Sequence, residues 1–137
     1  RAKLLSQAKE ISSIRQKNAQ ELSKQIISKL EKLELPKVRF EIGFEEIELN
    51  TNGIDKVEFL ISTNVSEDLK PLAKVASGGE ISRVMLAIKA IFAQSDSIDT
   101  IIFDEIDTGI SGKTSQSVAE EVRELAKHMQ IIMNLII

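Results

Sequence analysis

Residues 100–112 read Thr100-Ile101-Ile102-Phe103-Asp104-Glu105-Ile106-Asp107-Thr108-Gly109-Ile110-Ser111-Gly112, and this stretch decides the fold class. A short, apolar, β-branched run ends in two adjacent acids and passes into a loop marked by Gly109 and Gly112. Such a run predicts a strand buried on both faces, as found inside parallel sheets. Downstream, Val118, Val122 and Leu125 recur at helical spacing, followed by a last apolar run, Ile131–Ile137. Upstream, from Ser77, the residues Ile81, Val84, Met85, Ile88, Ile91 and Phe92 fit a 3.6-residue period. They predict an amphipathic helix of about 13–15 residues. Helix, strand, helix, strand is the pattern of an α/β fold with a parallel sheet.

Further upstream the periodicity changes. Residues 38–50 (VRFEIGFEEIELN) alternate apolar and acidic through Val38, Phe40, Ile42 and Phe44, and residues 56–63 (KVEFLIST) repeat the alternation. With Asn52-Gly53 as the turn between them, they predict a β-hairpin with one wet, acidic face. Residues 65–76, which include Pro71, are expected to be a loop. Residues 1–34 contain no Gly or Pro, and Leu4, Ala8, Ile11, Ala19, Leu22, Ile26, Leu30 and Leu33 fall on one stripe. That predicts a helix of roughly 50 Å, longer than a small globule needs for itself. With its seam broken by Arg15, it fits the foot of a coiled coil, closed by Pro36 because proline disfavours helical geometry in the residue before it.

Composition excludes several chemistries. The 137 residues are 42% hydrophobic and 28% charged, which fits one globular domain rather than a disordered chain. Cysteine is absent, so disulfide scaffolds, thiolate metal sites and cysteine nucleophiles are excluded, and a single histidine leaves little for a His-rich metal site or a Ser-His triad. No apolar run approaches the length of a membrane span, which points to a soluble, cytoplasmic domain. The first residue is Arg1, so a piece of a longer protein is expected. Residues 1–37 carry nine Lys/Arg against four Glu (+5), residues 38–68 two against eight (−6), and the rest seven against nine (−2). The basic stretch suits either phosphate contact or a solvated helix surface.

Three constellations can carry chemistry. Ser77-Gly78-Gly79-Glu80 opens a helix. The spacing of Ser77 and Glu80 is that of a capping box, and the two glycines would let a phosphate approach the first amides of the helix. A capped helix after a tight loop is the plainer reading. Asp104-Glu105 ends the apolar strand at the edge where open α/β sheets bind ligands. There one carboxylate can hold Mg²⁺ while the next activates a water, or the pair can simply end a strand in a polar loop. Asp107 in the following loop either reaches a partner subunit or stabilises the turn, with Ser111 capping the next helix. Gly112-Lys113-Thr114 imitates the end of a phosphate-binding P-loop, but G-x-x-x-x-G-K-[ST] needs glycine at position 107, which is Asp107.

Taken in order, these pieces resemble the C-terminal half of an ATP-binding-cassette ATPase head. Residues 71–83 (PLAKVASGGEISR), residues 102–112 (IFDEIDTGISG) and residues 57–64 (VEFLISTN) closely resemble the RecN family of SMC-like proteins of bacterial DNA double-strand-break repair. The resemblance implies that Ser77, Gly78, Gly79 and Glu80 form the signature motif that contacts ATP held on an opposite head. It implies Asp104 at Mg²⁺, Glu105 as the catalytic glutamate and Asp107 in the loop at the dimer interface. It further implies residues 1–35 as the end of a coiled-coil arm, residues 36–137 as the C-terminal part of the head, and a separate N-terminal lobe that supplies the phosphate loop. Whole, such a protein would be a cytoplasmic, nucleoid-associated ATPase acting on DNA as a head-to-head dimer. This piece alone would be inactive, with apolar strand faces uncovered and prone to self-association.

One departure stands out. The family's switch histidine falls near Ile136, in Met133-Asn134-Leu135-Ile136-Ile137, so the end of the chain is either altered or that of a divergent member. His128 lies earlier and takes no such role. Two rivals stay open: a non-enzymatic module with a basic coiled-coil arm, and a head of another SMC-type chromosome-maintenance ATPase.

Overall fold

The computed structural model describes residues 2–75, 78–93, 95 and 97–135. Helix α1 (Ala2–Lys32) obeys its apolar stripe only in its second half, where Ile26 and Leu30 are fully buried. In its first half Leu4, Leu5, Ile11 and Ile14 are exposed, and the buried residues are Ala8 and Ser12. The helix also stops before Pro36 acts. Glu34 takes the left-handed conformation (φ 57°), Leu35 N–H donates to Leu30 O (2.9 Å) and Glu34 N–H to Glu31 O (3.1 Å). This is a Schellman ending, and the proline merely follows it.

The hairpin forms as the alternation predicts. Strand β1 (Arg39–Asn50) pairs antiparallel with β2 (Gly53–Ser62), from Arg39 opposite Ser62 to Asn50 opposite Gly53. The register sets the turn one residue earlier than Asn52-Gly53: Thr51 and Asn52 connect the strands, and Gly53 (φ 110°) opens β2. Asn50 stabilises the turn, its Oδ1 accepting from Asn52 N–H (2.7 Å). Phe40 and Ile61, directly opposite, point into the core, and Phe40 meets Phe59 edge to face at 5.4 Å. The glutamates at 41, 46 and 48 stay exposed, as an acidic wet face requires. The expected loop contains short structure: β3 (Lys70–Pro71) pairs with β2, and Leu72–Lys74 form a 3-10 turn.

The α/β half follows. Helix α2 (Gly79–Phe92) leads to β4 (Thr100–Asp104), then α3 (Gly112–Leu125) and β5 (Gln130–Asn134). Strands β4 and β5 pair in parallel, Ile102 opposite Ile132 and Asp104 opposite Asn134. The last strand is shorter than the Ile131–Ile137 run, and Ile136 and Ile137 lie outside the described residues. Helices α2 and α3 and the end of α1 pack on one face of this sheet around Phe103, Ile106 and Leu125. The other face is open: Ile102 is 69% exposed and Ile132 47%. Among the described residues nothing covers it, so β4 is buried on one face rather than both, with an apolar strand face uncovered as expected of this piece alone.

Lys113 pairs with Glu34 (2.8 Å), and Gly112-Lys113-Thr114 forms the first turn of α3. Ser111 occupies the N-cap position, but its hydroxyl meets that of Thr114 (3.4 Å) rather than a backbone amide.

Candidate functional site

The end of β4 and the start of α2 meet at one edge of the molecule. Asp104 is the last residue of β4, exposed, and its Oδ1 accepts from Asn134 Nδ2 at 2.9 Å. Its second carboxylate oxygen has no protein partner among the described residues. Glu105 follows in the left-handed conformation (φ 56°), which for a residue with a side chain costs on the order of 1 kcal/mol. Its carboxylate is exposed and makes no hydrogen bond or ion pair among the described residues. The chain then turns, Thr108 N–H donating to Glu105 O at 3.1 Å, with Ile106 buried beneath. Asp107 is partly buried in this turn, and Gly109 (φ 71°) leaves it.

Helix α2 lies flush against that turn. A Cβ on Gly79 would sit 2.6 Å from Thr108 O and 2.9 Å from Glu105 O, so only glycine fits there. Gly78 is different. Its backbone is extended (φ 165°), open to any residue, and a Cβ there would meet nothing within 4 Å. Neither the backbone nor packing among the described residues calls for a glycine at 78. Ser82 N–H donates to Gly78 O (2.9 Å), so Gly78 itself is the N-cap and offers no side-chain acceptor. Gly78 stands at the N-cap position, and the expected capping box of Ser77 and Glu80 rests on a residue outside the described ones. Among the described residues no side chain caps the amides of its first turn. Ser77 lies outside the described residues. Glu80 is exposed in the first turn of α2.

Three participants escape a motif reading. Ser82 Oγ donates to Asp104 O at 2.6 Å. Arg83, only 4% exposed, directs Nη1 at Thr108 O (3.1 Å) and Ile106 O (3.4 Å). Burial draws its guanidinium below its ordinary value, and Glu80 acts in the opposite direction. Asn134 is the third, through Asp104. The available signal was a charged residue on the inward stripe of α2, four residues after Gly79 and one before Val84.

The site therefore assembles Gly78, Gly79, Asp104, Glu105 and Asp107 at one edge, with Glu80 on the first turn beside them. No three Asp, Glu, His or Cys side chains among the described residues are grouped to hold a metal unaided. No helix among them is long and apolar enough to cross a membrane.

No protein-family model matches the chain. It is 45% identical over 127 residues to the DNA repair protein RecN of Halalkalibacterium halodurans, covering 89% of this chain and 22% of that protein. It is 41% identical over 142 residues to the DNA repair protein RecN of Bacillus subtilis, covering 92% and 25%. The chain thus spans about a quarter or less of the length of the curated relatives it matches. Among solved structures, the Smc head domain with a coiled coil and joint from Pyrococcus yayanosii matches with a TM-score of 0.57 at 22% identity, over 91% of this chain and 23% of that one. That likeness establishes the fold.

Proposed function

This chain is a RecN-type sequence with the fold of an SMC-type head segment, and we propose that it supplies the signature helix and the hydrolytic acids of an ATPase head acting in DNA repair. The observation that carries this is the meeting of Asp104 and Glu105, at the carboxyl end of a parallel strand, with the N-terminal turn of α2.

In this reading the head is completed by an N-terminal lobe with a phosphate loop, and two heads enclose ATP between them. Asp104 fits one position in the oxygen shell of a magnesium ion, its free carboxylate oxygen facing solvent and the other held by Asn134. Mg²⁺, when bound, would offset phosphate charge during hydrolysis. Glu105, unpaired and exposed, is suited to accept a proton from the attacking water. Ser77, Gly78, Gly79 and Glu80 would face the nucleotide on the opposite head, where the open space at Gly78 admits a phosphate to the first amides of α2. Asp107 would lie at the head–head contact. Residues 1–35 would continue into a coiled-coil arm, which would cover the exposed Leu4, Ile11 and Ile14. The open face of β4 and β5 would receive the missing lobe. The setting would be cytoplasmic and at the nucleoid.

The test is Glu105→Gln in the full-length protein. ATP should remain bound and turnover should fall by roughly 100-fold or more. Turnover at the wild-type rate would remove Glu105 from the chemistry, whereas absence of ATP turnover in the unsubstituted full-length protein would favour an interaction module.

A further inference from the structure

We infer that Ser82 and Arg83 are positioning residues that hold Glu105 in its strained conformation, so that the placement of α2 governs whether the glutamate is aligned for hydrolysis. The inference rests on the role proposed for Glu105.

The geometry is a clamp on backbone carbonyls either side of one residue. Ser82 Oγ takes Asp104 O, immediately before Glu105. Arg83 Nη1 takes Ile106 O and Thr108 O, one and three residues after it. Between them Glu105 holds φ 56°, a conformation that persists only where its surroundings impose it. Gly79 lets the helix close on this turn, since any Cβ would collide with Glu105 O and Thr108 O.

Arg83 is a costly choice for mere filling. A buried guanidinium needs hydrogen-bond acceptors, and among the described residues its bonds go to the carbonyls of this turn, with Nε left without a partner there. Methionine would fill much of the same volume without burying charge. What arginine adds is a buried donor, Nη1, that meets two carbonyls at once and fixes them relative to the helix.

One consequence follows for a pair of heads. The first turn of α2 would meet the nucleotide of the opposite head, while four residues later the same helix holds the glutamate that serves its own head. Movement of α2 on engagement would therefore act on Glu105 through Ser82 and Arg83.

The experiment uses the full-length protein with Arg83→Met, Arg83→Lys, Ser82→Ala and Ser82→Thr. Arg83→Met should lower kcat for ATP by roughly 10- to 100-fold, the scale of a misplaced catalytic group, with KM changed less than about threefold. Arg83→Lys, which keeps one buried charged donor, should recover more of kcat than Arg83→Met. Ser82→Ala should lower kcat by a smaller factor, and Ser82→Thr should recover most of it. Hydrogen exchange supplies a readout independent of turnover: the Thr108 amide should exchange about tenfold faster in Arg83→Met, with α3 unchanged. Wild-type kcat with unchanged exchange at Thr108 would overturn the clamp. So would loss of ATP binding in the Glu105→Gln background together with lost protection across α3, which marks a structural role only. Wild-type turnover in Glu105→Gln would instead overturn the proposed function, and the exchange at Thr108 would still decide the clamp.

Discussion

Ser12 on α1 donates its hydroxyl to Oδ1 of Asp55 at 2.6 Å, across 43 positions of sequence, and so ties the long helix to the tip of the hairpin. Arg15 joins the same carboxylate at 3.1 Å and also holds Asn52 O at 2.9 Å. The Asp55 side chain is only 5% accessible, whereas that of Arg15 is 37% accessible. The arginine that interrupts the apolar seam of α1 is therefore the residue that reaches the hairpin turn.

Removing that carboxylate strands its donors. Asp55→Ala is expected to destabilise the chain by about 1–3 kcal/mol, whereas Asp55→Asn, which keeps an acceptor for Ser12, should cost less. Arg15→Ala should cost under about 1 kcal/mol because the pair is partly solvated. Urea titrations of the three variants check the order.

The adjacent glycines should respond in opposite ways. Ala normally favours a helix over Gly, but Gly79→Ala would force a Cβ to 2.6 Å from Thr108 O, and a loss of about 1–3 kcal/mol is expected. Gly78→Ala meets nothing and should leave stability within about 0.5 kcal/mol. In the full-length protein it should nevertheless reduce ATP turnover. Thermal melts and turnover assays on both variants separate the two effects.

The open face of the parallel pair predicts association of the isolated chain. Ile102 and Ile132, register partners on that face, form a continuous apolar strip. Ile102→Lys should shift sedimentation towards monomer at tens of micromolar chain without lowering the melting temperature. Unchanged sedimentation would mean that this strip is not what associates.

Glu124 beside Lys127 carries a pH signature. The Lys127 ammonium, bonded to both carboxylate oxygens at 2.7 Å, holds the carboxyl below its ordinary value. A depressed folded value means that the pair's contribution is present above the unfolded value and is lost as pH falls through the folded one. Titration of the Glu124 side chain by NMR should show the low midpoint, and Lys127→Ala should return it upward.

The chain alone should not bind MgATP at tens of micromolar in calorimetry, because its edge offers one magnesium ligand and a helix N-terminus but no phosphate loop. Tight stoichiometric binding would require that the first turn of α3, with Lys113, be reconsidered.

Local signals carried most of the elements. The alternation at 38–50, the helical period after Ser77 and the apolar run before Asp104 all became the structures they predicted, because each depends on neighbours within a few positions. The acids at 104 and 105 were visible as a strand ending in charge. Ser82, Arg83 and Asn134 were not, because what they do depends on groups 22 to 30 residues away. The errors were of the same origin. The Schellman ending before Pro36 and the hairpin turn at Thr51 and Asn52 are choices among adjacent registers that only packing resolves.

The sequence by itself determined the order of helices and strands, the acidic pair at the end of β4 and the glycines before α2, since periodicity and residue chemistry are local properties. Only the tertiary structure decided that Gly79 must be bare while Gly78 is free, and that Glu105, in its left-handed conformation, is flanked by contacts from another helix. Those facts come from long-range contact, where carbonyls, a guanidinium and a missing Cβ meet across the fold.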